Sequence, residues 1–466
     1  MNTGLVARSL EKVRAIVASA TGLGLETPEK RIAWLRQQLQ ECAEGLGGEV
    51  STRQRAARLA QSYLELDDAD RHAFLRMIAL EFGPDPAIVA SAHQAYQEAV
   101  GTETQWDAEA RLRNALQSAR IRILTQFNAI PQGVKFLVDM RADLLRFLRN
   151  DPDLKALDRE LETRLSSWFD VGFLELVRLT WHSPADVLEK IVDYEAVHEI
   201  RSWTDLKNRL DSDRRCYAFF HPRMPTEPLI FVEVALLESM ADNVQTLLDI
   251  HAPVFDASQA SNAIFYSISS TQNGLRGVSF GNFLLKRVVD DLKRDFPRLK
   301  TFATLSPIPG LRRWAERAPE EVLAAFSSSD WKRLAPLGIS GPEDERLKTI
   351  LHGQEAWHQD EALATALREP LTRAAATYLL TAKRGERPLD PVARFHLGNG
   401  ARVERLNWLA DSSEKGFAQS WGLMVNYLYD PDRLEDNLEA FEQNGTIDAA
   451  SAVRRMVPSR KERTGS

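Results

Sequence analysis

The sequence predicts an α+β protein, in which an N-terminal helical bundle precedes an α+β domain that carries a helical insertion. Three observations support this fold class. Apolar residues recur at helical spacing up to about residue 165, short runs of β-branched and aromatic residues follow between about 215 and 305, and charged helical segments return between about 311 and 385. We therefore expect one domain over residues 1–165 and a second over residues 166–466.

Helix start and stop signals order the N-terminal region. A Thr-Pro pair at 27–28 and an Asp-Pro pair at 85–86 are each typical of a helix cap followed by a first-turn proline. Between them, a Gly-Pro pair at 83–84 predicts the end of a helix that contains Phe74 and Ile78. The region has almost no alternating β-branched runs, so we expect an antiparallel helical bundle.

Four apolar runs rich in β-branched and aromatic residues predict the strands of the second domain. They are YAFF at 217–220, LIFVEVAL at 229–236, AIFYSI at 263–268 and TFATL at 301–305.

An Asn-Gly pair near the C-terminus predicts a β-hairpin. Asn399 and Gly400 lie between two alternating segments, and both residue types tolerate the positive φ of a two-residue hairpin turn. We therefore expect residues 394–397 to pair with residues 402–409, which places His396 on a strand.

The composition is that of an ordinary globular protein with a mildly negative charge. Lys and Arg total 59 against 66 Asp and Glu, so the formal net charge is −7. An acidic chain of this kind is a poor nucleic-acid binder, so we expect no nucleic-acid partner. A length of 466 residues allows a large buried core, so the fold needs no disulfide or metal to hold it together.

The cysteines and the chain ends bear on the cellular location. Cys42 and Cys216 lie far apart and form no C-x-x-C pattern, so we expect two buried thiols in a reducing compartment. No apolar run approaches the roughly 18 residues that span a bilayer. The first residues lack a secretory signal and the last residues lack a Ser-Lys-Leu ending. We therefore expect a cytoplasmic protein without a membrane partner.

A glycine-rich loop follows the third predicted strand and leads into a helix. Glycines let the backbone approach a phosphate closely, and the N–H groups at a helix start favour an anion. The spacing matches neither G-x-x-x-x-G-K-[ST] nor G-x-G-x-x-G. The loop instead resembles the pyrophosphate loop of GNAT acyltransferases, which bind coenzyme A; a glycine-rich turn before a surface helix is the alternative. The residues of this predicted acyl-CoA loop are Arg276, Gly277, Val278, Ser279, Phe280, Gly281 and Asn282.

Longer motifs in the same order resemble the malonyl-CoA decarboxylase family. Several such motifs are much more specific than one glycine loop, and the resemblance covers about residues 165–430. The motifs are WHSP at 181–184, RCYAFFH at 215–221, FYSIS at 265–269, GLRG at 274–277, FLLKRVV at 283–289, LSPIPG at 305–310, FHLGNGA at 395–401 and NWLAD at 407–411.

This resemblance implies an N-terminal helical oligomerisation domain and a GNAT-like acyltransferase-fold catalytic domain, assembled as a homo-oligomer, a tetramer in the family. It also implies a carboxy-lyase of fatty acid and malonate metabolism that converts malonyl-CoA to acetyl-CoA. The family's catalytic serine and histidine fall on Ser306 and His396, and its acyl-CoA loop falls on residues 276–282. At Ser279 this chain lacks a glutamate that relatives carry, so no role of that carboxylate transfers to it.

The chemistry of a malonyl thioester needs no cofactor, because the thioester carbonyl accepts the electron pair when CO2 leaves. We therefore expect no metal, biotin or pyridoxal phosphate. The protein must hold the carboxylate in a dry site, stabilise the enolate oxygen and deliver a proton to carbon. His396 suits the proton donor, since the reference pKa of histidine is about 6.5. Ser306 would engage the carboxylate or orient the reacting group, whereas the resemblance implies a proton acceptor.

Structural explanations stand beside these assignments. Ser306 precedes Pro307 and would also fit a simple turn, and His396 would also fit a strand histidine with a structural hydrogen bond. Two further functions stay open: a GNAT-type acyltransferase with an amine or hydroxyl acceptor, and a non-catalytic acyl-CoA-binding protein. We expect packing roles for His182, His221 and His251. For Asn407, Trp408 and Tyr427 we expect packing or contacts that support the catalytic residues, and not catalysis itself.

Overall fold

The computed structural model describes residues 28–45, 48–278, 283–352 and 357–458, and it divides into two compact units. The first unit comprises Met1–Phe173 with two short segments, His221–Pro225 and Gln272–Ser279. The second comprises Leu174–Phe220, Thr226–Thr271 and Phe280–Ser466. The first part of the predicted acyl-CoA loop therefore belongs to the helical unit, although elements of the sheet unit flank it in sequence.

The first unit is helical, as the sequence predicts. Leu39, Leu59 and Leu137 are fully buried in its core, and the carboxylate of Asp85 caps the fourth helix by accepting from Ala87 N at 2.8 Å. The helices are α1 Pro28–Glu44, α2 Glu49–Glu65, α3 Asp68–Glu81, α4 Pro86–Ala99, α5 Gln105–Ala115, α6 Ala119–Asn128, α7 Gly133–Phe147 and α8 Lys155–Trp168.

The hairpin of α4 and α5 exposes an apolar surface. Within α4 the buried residue is Ala99, whereas Ile88 is 58% exposed. Trp106 on α5 is 73% exposed. Residues 87–97 contain no Asp, Glu, Lys or Arg, so this exposed helix lacks the charges usual on a solvated face.

The second unit is built on a mixed sheet of the described strands, ordered β1-β2-β3-β4-β5-β10-β6, with β9 also paired to β10. β4 and β5 are parallel and the other pairs are antiparallel. The four predicted strands are confirmed as β2 to β5. The strands of the sheet are β1 Glu175–Leu179, β2 Arg214–Phe220, β3 Ile230–Leu237, β4 Asn262–Ser270, β5 Thr301–Thr304, β6 Ser306–Pro307, β9 Arg402–Asn407 and β10 Met424–Leu428; Lys383–Arg384 and Arg387–Pro388 form a separate pair, β7 and β8.

Helices surround this sheet, and several of them fill the segment between β6 and β7. They are α9 Ala185–Tyr194, α10 Trp203–Arg209, α11 Val244–Leu247, α12 Phe283–Asp295, α13 Leu311–Arg317, α14 Pro319–Leu323, α15 Ser328–Leu334, α16 Glu343–His352, α17 Glu361–Thr381, α18 Pro391–Leu397, α19 Glu414–Ser420, α20 Leu434–Asn444 and α21 Ser451–Arg454.

The predicted Asn-Gly hairpin is wrong. Residues 391–397 form helix α18, and β9 pairs with β10 instead of with them. Asp390 caps this helix and Pro391 occupies its first turn, a start signal that outweighs the hairpin tendency of Asn-Gly. Gly400 has φ +80° in the turn between α18 and β9, so the pair does form a turn, but one after a helix.

Two smaller expectations can be compared with the structure. Both free cysteines, Cys42 and Cys216, are buried, as predicted. Across the described ranges, the structure contains no helix with the length and apolar character needed to cross a membrane.

Candidate active site

The strand ladder is interrupted directly before Ser306. β10 pairs with β5 and then with β6, and between these pairs side chains replace the backbone ladder. Thr304 Oγ1 accepts from the N–H of Tyr427 at 3.1 Å, and the Thr304 carbonyl accepts from Asn426 Nδ2 at 2.6 Å. Asn407 Nδ2 donates to Asn426 Oδ1 at 2.8 Å and fixes that amide. The β9–β10 register also shifts at Asn426 and Tyr427, an irregularity of the kind that redirects side chains near functional sites.

Ser306 and His396 lie in hydrogen-bond contact. Ser306 Oγ is 3.1 Å from His396 Nε2 and donates to Thr304 Oγ1 at 2.8 Å. Ser306 is 6% exposed and His396 is 3% exposed, so the pair is almost closed to water. Ninety residues separate the two in sequence. The structure therefore brings the predicted pair together, with the serine on β6 and the histidine at the end of α18.

The surroundings of His396 favour its neutral form. His396 Nδ1 is 2.7 Å from the hydroxyl of Tyr429, and the ring of Tyr427 stacks on the imidazole with centroids 4.5 Å apart. Burial among these groups lowers the pKa of His396 to about 3. At neutral pH the imidazole therefore carries one proton.

One arrangement of hydrogens accounts for all three contacts in this row. Tyr429 donates to His396 Nδ1, His396 Nε2–H donates to Ser306 Oγ, and Ser306 donates to Thr304 Oγ1. This arrangement follows from the direction of the serine–threonine bond, and it places the imidazole proton on Nε2. The proton of His396 therefore points to Ser306.

Asp390 joins the two segments that carry the pair. Its Oδ1 accepts from the N–H groups of Val392 and Ala393 at 2.9 Å and caps α18, whose last turn bears His396. Its Oδ2 accepts from Gly310 N at 3.4 Å, in the turn that follows β6. Desolvation raises the pKa of the Asp390 carboxyl, against the lowering effect of these hydrogen bonds. One carboxylate therefore holds together the turn after β6, which follows Ser306, and the start of α18, which carries His396.

A groove of about 80 Å³ reaches Tyr429 within the second unit. Lys286, Lys293 and Asn399 line it with Glu435. Lys286 Nζ and Glu435 Oε1 form an exposed ion pair at 3.1 Å, so water reaches the groove. Tyr429, whose hydroxyl contacts His396, thus also lines a groove that water reaches.

The predicted acyl-CoA loop lies partly within the described chain. Arg276, Gly277 and Val278 belong to the first unit, where the Arg276 side chain is exposed and Gly277 has φ +89°. The predicted residues Ser279, Phe280, Gly281 and Asn282 lie outside the described residues.

Of the three histidines expected to have packing roles, His221 is buried, whereas His182 and His251 are not. His221 is buried, with Nε2 3.0 Å from the Trp168 carbonyl and Nδ1 accepting from Arg223 N at 3.1 Å. His182 and His251 are exposed. Within the described ranges, no group of three or more His, Cys, Asp or Glu side chains could hold a metal ion.

Sequence reasoning missed three residues of this site. Thr304 and Tyr429 contact the pair directly, and Asp390 fixes the helix that carries His396. Asp390 had a signal, because Asp before Pro is a helix start. Tyr429 had none, since an aromatic residue after a strand is ordinary in a core.

Comparisons with known proteins match nearly the whole chain. The family model described as "Malonyl-CoA decarboxylase C-terminal domain" matches residues 172–466, and "Malonyl-CoA decarboxylase N-terminal domain" matches residues 82–169. "Malonyl-CoA decarboxylase, mitochondrial" of Rattus norvegicus is 39% identical over 408 residues, 84% of this chain and 82% of the relative. The protein of the same name from Anser anser anser is 38% identical over 419 residues, 86% of this chain and 82% of the relative.

Solved structures agree. The crystal structure of malonyl-CoA decarboxylase from Rhodopseudomonas palustris is 42% identical with a TM-score of 0.80, over 90% of this chain and 99% of that one. The structure from Agrobacterium vitis gives the same identity and TM-score, over 91% of this chain and 99% of that one.

The helical unit, the mixed sheet and these matches define the chain as a carboxy-lyase of α+β architecture. It belongs to the malonyl-CoA decarboxylase family. The family and the α+β class with N-terminal helices are thus confirmed. The GNAT-like description of the sheet unit and the cytoplasmic location stay predictions.

Proposed function

We propose that the chain decarboxylates malonyl-CoA to acetyl-CoA and CO2 at Ser306 and His396. The observation that carries the proposal is the 3.1 Å contact between Ser306 Oγ and His396 Nε2 in a buried setting. Membership of the family supports the substrate, because the relatives that match along the chain are named malonyl-CoA decarboxylases.

The reaction breaks one carbon–carbon bond and consumes one proton. The electron pair of the bond between the carboxylate and the methylene carbon moves toward the thioester carbonyl, which gives CO2 and an enolate. A proton then joins the methylene carbon to form acetyl-CoA. A dry site with fixed dipoles favours this step, because loss of hydration destabilises the localised charge of the carboxylate while the dipoles stabilise the charge that develops on the enolate oxygen.

His396 needs the charge of the substrate to act as the proton donor. Burial alone keeps the imidazole neutral, with its pKa lowered to about 3. A malonyl carboxylate beside it raises that pKa, because a nearby negative charge favours the imidazolium form. The reference pKa of histidine therefore does not describe the proton donor. Instead, binding of the substrate carboxylate protonates His396, and after CO2 leaves His396 gives a proton to the methylene carbon.

Ser306 engages the malonyl carboxylate in this scheme. Its hydroxyl proton bonds to Thr304 and its oxygen faces His396 Nε2. Rotation about the side chain redirects that proton from Thr304 to a carboxylate oxygen without breaking the backbone ladder. The serine then holds the carboxylate next to the imidazole that the carboxylate charges.

Tyr429 supplies the replacement proton. Substrate binding adds a proton to the neutral imidazole and the reaction passes one on to carbon, so each turnover draws one proton from solvent, although His396 is nearly closed to water. The hydroxyl of Tyr429 contacts His396 Nδ1 at 2.7 Å, and the same residue borders the solvated groove beside Lys286. A proton from the groove passes along the hydroxyl of Tyr429 to Nδ1 as the substrate binds, and Nε2–H is then given to carbon. The resting tautomer returns when Nδ1–H goes back to the phenol and water that enters as acetyl-CoA leaves protonates Nε2.

The test is to incubate the purified protein with malonyl-CoA and to follow CO2 and acetyl-CoA. His396→Asn should keep acetyl-CoA binding and lower kcat by about a hundredfold or more, the scale of a positioned acid. Ser306→Ala should also lower kcat more than binding, and the two losses should combine less than additively. His221→Asn, which replaces another buried histidine, is the matched control and should keep kcat.

Three results would contradict the proposal. A folded His396→Asn protein with normal kcat would remove the proton donor. Release of free CoA only in the presence of an amine or hydroxyl acceptor would indicate an acyltransferase. Tight acyl-CoA binding without CO2 release would indicate a binding protein.

We further propose that the α4–α5 surface joins copies of the chain into a homo-oligomer. Ile88 and Trp106 expose a large apolar area there, and residues 87–97 carry no charged side chain. A second copy suits this surface because a twofold interface places the same patch on both sides. Like charges would then repel each other, and the uncharged stretch of α4 avoids that repulsion.

Light scattering after size exclusion tests this contact. Ile88→Glu should lower the mass per assembly at fixed protein concentration. Leu64→Glu is the matched control, because Leu64 is 51% exposed on α2 and lies off this hairpin in sequence. An unchanged mass for Ile88→Glu would place the subunit contact elsewhere.

A further inference from the structure

A buried arginine of the helical unit binds the backbone of the glycine-rich segment, residues 272–278. Arg141 on α7 is 1% exposed. Its Nη1 donates to the carbonyl oxygens of Gly274 and Arg276, each at 2.8 Å. Its Nε donates to Asp158 Oδ1 at 2.9 Å, and its Nη2 lies 3.7 Å from Glu162 Oε1, both on α8. The guanidinium thus joins two acidic side chains of the bundle to two carbonyls of the segment.

Two glycines allow the segment to lie this close to the helices. A Cβ at Gly274 would collide with the carbonyl oxygen of Val138 on α7. A Cβ at Gly277 would collide with the Glu162 carboxylate, and its φ of +89° is a conformation that favours glycine. The segment is therefore fitted to the backbone of α7 at Gly274, whereas at Gly277 it meets the movable end of the Glu162 side chain on α8, and the positive φ is the stronger constraint.

The contacts of Arg141 hold the backbone of the segment and leave the charged side chain of Arg276 accessible to solvent. The carbonyl of Arg276 is bound by Arg141, whereas the Arg276 side chain is exposed. Leu275 and Val278 on either side are buried. An anion gains most from donors that are already oriented, because ordering them on binding costs free energy.

We propose that Arg141 is the positioning residue for the acyl-CoA phosphates, so that the helical unit takes part in acyl-CoA binding as well as in assembly. The inference rests on the proposed function, because it takes Arg276 and Gly277 as phosphate contacts. Arg141 itself touches no ligand. It acts by holding the backbone conformation of residues 274–277. Without it, the backbone from which the exposed Arg276 side chain extends would not be held in place.

Arg141→Lys tests the proposal in the full-length protein. Lysine keeps the positive charge beside Asp158 and Glu162 but lacks the planar fork that reaches two carbonyls and a carboxylate together. Binding of acetyl-CoA, measured by titration calorimetry, should weaken about tenfold, the scale of one lost charge-assisted hydrogen bond. The KM for malonyl-CoA should rise alike while kcat stays within about twofold.

Arg120→Lys is the matched control. Arg120 is also buried in the helical unit, where it pairs with Glu160 at 2.7 Å and donates to the Ala79 carbonyl at 2.6 Å. It makes no contact with the glycine-rich segment among those described. Its variant should lower the melting temperature without changing acetyl-CoA affinity. An equal change of affinity in both variants would reduce Arg141 to a structural residue and overturn the proposal.

A double-mutant cycle gives a readout that stability alone does not move. If Arg141 acts through Arg276, the affinity losses of Arg141→Lys and Arg276→Gln should combine less than additively. Losses of binding free energy that are fully additive in the double variant would overturn the proposal. Should Arg141→Lys not fold, Glu162→Ala tests the same arrangement, because Glu162 lies beside both Arg141 and Gly277. The Glu162 side chain is 37% exposed, so its removal should be tolerated by the fold. It should weaken acetyl-CoA binding, and unchanged binding would refute the inference.

The inference and the proposed function fail in different ways. A wild-type protein that releases no CO2 from malonyl-CoA refutes the proposed function. An active wild type whose Arg141→Lys variant binds acetyl-CoA normally refutes the positioning role alone.

Discussion

His396 makes the stability of the fold sensitive to acid, and its replacement by asparagine should remove that part of the sensitivity. An unfolded histidine has a pKa of about 6.5, whereas burial lowers the pKa of His396 to about 3 in the fold. Between these values the unfolded chain binds a proton that the folded chain does not. The free energy of unfolding therefore falls as the pH falls from about 6.5 toward 3.

The magnitude follows from the linkage of one proton. The slope is about 1.4 kcal/mol per pH unit once the unfolded histidine is protonated. Integrated from pH 7 to pH 5, the loss from His396 is about 2 kcal/mol. His396→Asn lacks this group, and the other titrating groups cancel in the comparison, so its unfolding free energy should fall by about 2 kcal/mol less over the same interval.

Urea unfolding followed by circular dichroism at the two pH values measures this difference. His251→Asn removes an exposed imidazole and controls for the substitution itself. An equal fall of the unfolding free energy in the wild type and in His396→Asn would refute the reasoning, because it would mean that the imidazole is not held neutral by burial.

Three further predictions concern the network, the helix cap and the cofactor. Tyr429→Phe should lower kcat about tenfold with little change in KM, because one hydrogen bond to the imidazole is lost. Steady-state kinetics with malonyl-CoA measures this, and an unchanged kcat would mean that the phenol carries no proton. Asp390→Ala should lower the unfolding free energy by about 1–2 kcal/mol, because it removes a buried helix cap. Asp85→Ala, at an exposed cap, should lower it less, and equal urea midpoints of the two variants would contradict this. A chelator should leave CO2 release intact, and activity lost with it and restored by one specific metal would contradict cofactor-free chemistry.

The sequence predicted the sheet best where a buried strand contains a mostly apolar run. β2 and β3 are buried along their length, and the runs YAFF and LIFVEVAL that predicted them are mostly apolar. β1 was missed, because this edge strand is largely exposed and its sequence, ELVRL, carries no such run. β10 was missed as well, since MVNYL includes Asn426, whose polar side chain is needed to bridge the interrupted ladder.

The pair itself was predicted by resemblance, but its local setting was not. His396 was expected on a strand, and the structure places it on a helix because Asp390 and Pro391 provide a start signal close by. The neutral state of His396 depends on Tyr427, Tyr429 and burial, which are contacts between distant parts of the chain. No local pattern reports such contacts.

The glycine-rich segment shows a second limit. Glycine spacing and a following helix predicted a phosphate loop, with Gly277 kept free of a side chain for a ligand. In the structure, both glycines are needed by the protein first, since a side chain at Gly274 would strike the Val138 carbonyl and Gly277 has a positive φ. The same residue type serves backbone packing and ligand approach, so spacing alone does not separate the two.

The place of β10 in the sheet sets the order in which a newly made chain can become active. This strand lies between β5 and β9, yet it follows Thr304 by more than a hundred residues, and Asn426 comes 122 residues after the carbonyl it binds. A ribosome takes on the order of ten seconds to add that length. During this time the edge of β5 that β10 will cover has no partner. A nascent chain therefore presents an open strand edge, a target for chaperones, until β10 emerges.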